Sequence, residues 1–265
     1  MSCGQVFRWT RDTAGSWSGV NGDTPIQFQA TPGGWTVEST ASEPEIRSFL
    51  GLGDETALRL LALDPDRAEV YASPLVRGLR LMRPSCPVET LFSFLCTSNN
   101  HISRITRMVA TLANYGPGDA FPTLDRIASI SEDELRTQGF GYRGKTIPIA
   151  AQQILERGGL AWLESLRTRP YAEAHNALVE LAGVGPKLAD CIALFGLHHG
   201  HAVPIDVHTW RAMTTFFHPE WQGLPLTAGR YREAGDKFRA RFGDLAGAAH
   251  QYHFVYQLRQ SRGVR

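Results

Sequence analysis

Lys187 follows two closely spaced glycines, Gly183 and Gly185, and Asp206 returns 206 − 187 = 19 residues later. An amine and a carboxylate that meet in one cleft can do covalent chemistry at a sugar carbon. The amine is a nucleophile able to form a Schiff base. A fixed carboxylate stabilises developing positive charge, most strongly where water is excluded. The glycines add a third capability, because a hairpin that presents free backbone N–H groups at a helix N-terminus is an anion site. A DNA phosphate suits it, and such a contact positions a duplex without reading its sequence. Lys187 falls in the first turn of the helix after the hairpin, where the positive end of the macrodipole disfavours a cation. Partial desolvation adds to that, so the amine pKa is expected to be depressed.

The elements that must hold these groups are legible around them. Ala177, Leu178, Leu181 and Ala182 have helical spacing, which Gly183 and Gly185 break. Glycine supplies the φ > 0 conformations of a tight reversal and lets another backbone approach. Pro186 suits the first position of a new helix, whose packed face is Ala189, Ile192, Ala193, Phe195 and Gly196. Asp206 follows Val203-Pro204-Ile205 and precedes Val207, Trp210 and Met213, so it reads as a helix N-cap. Each feature alone also has a structural reading: a helix–Gly–helix turn, a solvated lysine, a simple cap. Gly183-x-Gly185 with an acidic residue about 20 positions on also echoes a dinucleotide fold. That reading fails because Leu188 holds the third-glycine position and the preceding segment is helical rather than an apolar strand.

The 265 residues allow a substantial core and two lobes. The net charge of +1 does not announce DNA binding, so basic residues must cluster on one face, with Arg104, Arg107, Arg143, Lys145 and Lys187 as its candidates. Cys3, Cys86, Cys96 and Cys191 show neither C-x-x-C nor zinc spacing, so no metal is expected and the thiols are read as reduced and cytosolic. No signal peptide or membrane-spanning apolar run is apparent. Residues 5–40 alternate as strands, in Phe7-Arg8-Trp9, Ile26-Gln27-Phe28 and Trp35-Thr36-Val37, and the pattern is helical from about Ser42 onward. We divide the chain into a β-containing segment, 1–85, and a helical domain, 86–265, with the helix–hairpin–helix at about 174–196.

Several motifs together resemble the helix-hairpin-helix DNA glycosylases, in particular their 8-oxoguanine DNA glycosylase/AP lyase branch. They are GQVFRW (4–9), SNNHISRIT (98–106), GFGYRGK (139–145), LAGVGPKLADC (181–191) and VPIDVH (203–208), in the family's order. The resemblance implies a mostly α (α+β) fold of two helical lobes with a small, shortened N-terminal antiparallel β segment. It implies that Lys187 attacks the sugar C1′ and that Asp206 stabilises the positive sugar. Cys191, one turn after Lys187, would lie against the flipped base, with Phe254 stacking on it and the Gly4 carbonyl recognising its N7 hydrogen. Asn99 would fill the gap in the duplex, Tyr142 would wedge the bend, and Arg104 and Arg143 would hold the orphaned cytosine. His208 would lie near a phosphate, as would the Gly183 and Gly185 hairpin. The family's base-reading glutamine is replaced by His250, with Gln251 beside it. On pattern alone, Phe254 reads as core, Cys191 as a small buried residue, and Tyr142 and Arg143 as surface groups in a Gly-rich turn.

What the resemblance implies is a base excision enzyme that acts on damaged double-stranded DNA as a cytoplasmic monomer, nucleoid-associated in a bacterium or nuclear in a eukaryote. It implies no cofactor, save a structural monovalent cation at the hairpin. It also implies no iron–sulfur cluster, because the cysteine cluster of the endonuclease III branch is absent. The expected substrate is an oxidised purine, 8-oxoguanine opposite cytosine first among them. Two other classes stay open at this point: a monofunctional alkylated-base glycosylase, which needs the aspartate but not the lysine, and a non-catalytic helix-hairpin-helix DNA-binding module.

Overall fold

The computed structural model describes residues 4–53, 55–261 and 263, so Cys3 lies outside the described residues. The chain opens with an antiparallel meander of four strands, β1 (Trp9–Arg11), β2 (Trp17–Asn21), β3 (Thr24–Thr31) and β4 (Gly34–Ser39), in that spatial order. Gly22 and Asp23 make the two-residue turn between β2 and β3, and Gly22 has φ +70°, the conformation such a turn favours in glycine. Ile26 and Phe28 alternate inward onto Trp9, Phe49 and Met82. The remainder is helical, as the resemblance implies, and no helix among the described residues is long and apolar enough to cross a membrane.

Two larger cores form the helical lobes. One is built from residues between Val88 and Ala202, joined by Phe7. Its central helix, Pro87–Leu95, is buried at every position but Glu89, as befits an element apolar nearly all round. The other core joins Leu60, Val70, Tyr71 and Val76 to residues between Val203 and Val255. Packing therefore crosses residue 85, the boundary drawn from sequence. A helical pattern from about Ser42 onward does not show which distant helix covers these residues.

The passage from one lobe to the other contains the hairpin helix (Pro186–Cys191), the π-helical turn Ile192–Gly196 and an extended run to Asp206, cap of the helix Val207–Phe216. The π turn was not anticipated; a single such turn often marks a functional segment. Gly196 lies against the central helix there, and a Cβ on it would stand 3.1 Å from Thr90.

Candidate active site

The hairpin glycines have different duties. Gly183 has φ +80°, and a Cβ there would stand 3.1 Å from the Thr146 side chain. Gly185, the cap of the hairpin helix, has φ −92° and ψ 175°, and its Cβ direction is open. Only Gly183 takes the positive φ expected of both. The fold itself does not require glycine at 185. What glycine provides there is bare backbone facing outward beside the first-turn N–H groups.

Lys187 is half-buried one turn before Cys191, and the two side chains interact. Burial pulls the Lys187 amine down, but the charges of Cys191 and Asp206 outweigh it and hold the group above its ordinary value. The expected depression is thus corrected: sequence reasoning counts the helix dipole and desolvation, but not the opposing effect of Cys191 first and of Asp206 after it. Burial also pushes the Cys191 thiol up, although Lys187 opposes this. Near neutral pH the pair is therefore ammonium and thiol, and the negative charge that Lys187 faces is that of Asp206.

Asp206 caps its helix through one oxygen. Its Oδ1 accepts from the backbone N–H of His208 at 2.9 Å and of Thr209 at 2.8 Å. Both cap bonds end on Oδ1, which fixes the carboxylate while half of it is spent on the backbone. The same carboxylate acts electrostatically on Lys187 and on His250 of the C-terminal helix (Ala246–Ser261), and Lys187 acts on His250 as well. Hairpin, capped helix and C-terminal helix therefore converge on one site.

His250 is buried, and its Nε2 lies 2.9 Å from Thr209 Oγ1, with the Pro204 carbonyl against the ring. Burial lowers its pKa to about 4, so it is neutral at physiological pH. Phe254, one turn on, lies nearly parallel to it at 6.2 Å and meets His208 edge-on at 5.9 Å. Phe254 is half-buried and His208 half-buried, so neither is simply core nor simply solvated. Gln251 is buried, and its Nε2 has no hydrogen-bond partner. His250 stands in the charge field of Lys187 and Asp206.

The expected wedge residues gather at two facing loops. Asn99 is exposed with φ +46°, a left-handed conformation uncommon outside glycine and more frequent in asparagine. Tyr142 is 54% exposed, with its hydroxyl 3.5 Å from the Ser98 carbonyl. Arg104 donates to the Gly139 carbonyl at 2.9 Å. Arg143 departs from both of its readings, since it is neither a surface group nor a free fork. It is 3% exposed, donates from Nε to Leu95 O at 3.2 Å and from Nη2 to Ser98 O, and lies under the Tyr142 ring. Its guanidinium ties the Asn99 loop to the Tyr142 turn.

Gly4, with φ +77°, has an open Cβ direction. The segment after it is anchored. Gln5 donates to Arg80 O at 2.9 Å and accepts from the Met82 N–H at 2.8 Å, and Arg8 meets Glu89 at 3.0 Å.

Sequence reasoning missed Asp190. Its buried carboxylate accepts from Tyr171 through Oδ1 and from Tyr231 through Oδ2, each at 2.5 Å. An acid inside the apolar run LADCIALF was the available signal. Among the described residues, no group of three or more His, Cys, Asp or Glu side chains is placed to hold a metal ion.

A hairpin with a bare glycine, a lysine and a capping aspartate whose charge acts on it define a class, and comparison with known proteins agrees. The model of the HhH-GPD superfamily base excision DNA repair protein matches residues 92–228, and the chain belongs to that superfamily. Within it, the chain is 36% identical over 275 residues to an N-glycosylase/DNA lyase OGG1 of Arabidopsis thaliana, an alignment covering 96% of this chain and 75% of that protein. It is 39% identical over 165 residues to an N-glycosylase/DNA lyase of Saccharomyces cerevisiae, covering 55% of this chain and 43% of that one. The crystal structure of a Clostridium acetobutylicum 8-oxoguanine glycosylase/lyase, in complex with double-stranded DNA containing cytosine opposite 8-oxoG, superposes with a TM-score of 0.85 at 25% identity. That match covers 98% of this chain and 91% of the other.

Proposed function

We propose that this protein is a DNA glycosylase/AP lyase that acts as a monomer on damaged duplex DNA and removes an oxidised purine, 8-oxoguanine opposite cytosine first among them. The observation that carries this reading is the convergence of Lys187 and Asp206, from separate helices, on one half-buried site beside an open hairpin. The names of the relatives support the same activity.

A base inside a duplex is out of reach, so the nucleotide must be turned out, at a cost of a few kcal/mol. Asn99 and Tyr142 are the inserts that occupy the vacated space, and Arg143 holds their two loops together. Arg104 is the exposed arginine at this edge that can meet the orphaned base. Phe254, His250 and His208 form the aromatic wall for the extruded purine. The glycosidic bond then breaks with its electron pair leaving on the base, and Asp206 stabilises the cationic sugar. The Lys187 amine, having given its extra proton to the departing base, forms a bond to C1′. Opening of the sugar ring gives a Schiff base. Loss of a C2′ proton then expels the 3′ phosphate by β-elimination.

Borohydride should reduce that Schiff base and leave the protein covalently joined to an 8-oxoguanine duplex. Lys187→Gln should abolish the adduct. Base release without any trapped species would favour a monofunctional enzyme, and trapping undiminished in the variant would remove Lys187 from the mechanism.

A further inference from the structure

The inner face of the sheet runs beyond its helical cover. Register pairs Phe28 with Trp17 and Val37, and Ala30 with Trp35, so these side chains point to one side of the sheet. Phe28 is buried there, yet Trp35 is 54% and Val37 43% exposed. Beside them opens a cleft of about 1000 Å³, between the sheet, the helix Glu43–Phe49 and the segment 77–82. Ile46 and Leu50 complete its apolar floor, while Arg11, Arg77, Arg80 and Arg259 line its rim. Arg47 also lines it but is neutralised by Glu43 at 2.7 Å, and Glu43 is the one acidic residue of the lining among the described residues. β4 is the last strand of the sheet, so one row of its backbone groups has no strand to pair with among the described residues. None of the cleft's lining residues belongs to the Lys187 site.

We propose that this cleft docks an extended acidic segment of a partner protein, which adds a fifth strand along β4 and seats apolar side chains on Trp35 and Val37. Strand addition supplies main-chain hydrogen bonds, and alternate side chains then meet the floor. Arg11, Arg77 and Arg259 select acidic residues at the remaining positions. A nucleic acid strand would use the arginines and tryptophans but leave the β4 edge and the aliphatic floor of Val37, Ile46 and Leu50 without partners.

The test uses the full chain and a fluorescent peptide of roughly ten residues, long enough to span the strand, alternating Val or Phe with Glu or Asp. Controls are the same peptide with lysine for each acid, and an oligothymidylate. The acidic peptide should bind saturably and change tryptophan fluorescence. Arg77→Glu and Trp35→Ser should each weaken it about tenfold or more, with lesion excision at the parental rate. Both positions are exposed, so circular dichroism should be unchanged. No saturable binding, binding indifferent to both substitutions, or equal binding of either control would overturn the proposal. So would a dimer dissolved by Trp35→Ser, because a second copy would then own the cleft.

Discussion

Asp206→Asn separates the two duties of one residue. The Asp206 carboxylate both caps a helix and faces Lys187. Asparagine keeps an Oδ1 in the same place and ranks with aspartate as an N-cap, so both backbone bonds survive. Stability should therefore fall by no more than a few tenths of a kcal/mol, whereas Asp206→Ala, which deletes the acceptor, should lose about 0.5–2 kcal/mol. The lost negative charge acts elsewhere. Removing one preorganised electrostatic group from an active site slows chemistry by about 100- to 1000-fold, so base excision should drop by that order in the stable Asn variant. Asp206 also holds the Lys187 amine up, so its neutralisation should lower that pKa and enlarge the free-amine fraction near neutral pH. Trapping on a preformed abasic site should accordingly be spared or faster. Urea melts, single-turnover excision on an 8-oxoguanine duplex, and borohydride trapping on an abasic duplex measure the three quantities. Excision at the wild-type rate in Asp206→Asn, or melts as poor as those of the alanine variant, would refute the reasoning.

Other outcomes follow from the same geometry. Burial holds His250 and His253 at about 4 and about 3, below the ordinary 6.5. The unfolded chain then binds protons first as pH falls, so this stabilisation is intact above about 6.5 and should lose roughly 2 kcal/mol per histidine by pH 5. In His253→Phe, denaturant midpoints measured from pH 8 to 5 should show about half that slope; an unchanged slope would count against it. Gly183→Ala should cost about 1–2 kcal/mol for its left-handed backbone, on top of its Thr146 contact. Gly185→Ala should melt like wild type but bind duplex DNA more weakly, and equal binding would argue against phosphate at the hairpin. Arg143→Ala should lose about 1.5–3 kcal/mol by orphaning the Leu95 and Ser98 carbonyls, and Lys at that position should not restore it, because an amine lacks the two-pronged fork.

What was legible in the sequence was local. A reversal at Gly183, a proline opening a helix and an aspartate capping the next each follow from the conformational preferences of a few neighbouring residues, and the structure has all three. Strand alternation likewise gave the buried face of β3. What escaped depends on contacts far apart in the chain. Arg143 is buried by carbonyls about 45 positions away, Asp190 is held by tyrosines on two other helices, and Lys187 is raised not only by the neighbouring Cys191 but also by a carboxylate from the next lobe. The chain reads as helical from about Ser42, but only tertiary packing assigns Leu60, Val70, Tyr71 and Val76 to the helices after Val203. Phe254 illustrates the limit in another way: its helical spacing predicts core, yet one side of the ring is left to face His208 and His250.

The chain contains three lysines, Lys145, Lys187 and Lys237. Borohydride-trapped complex can therefore be digested and the sugar remnant located by mass spectrometry. The account predicts the remnant on the peptide that bears Lys187. A remnant on Lys145, Lys237 or the N-terminal amine would contradict it.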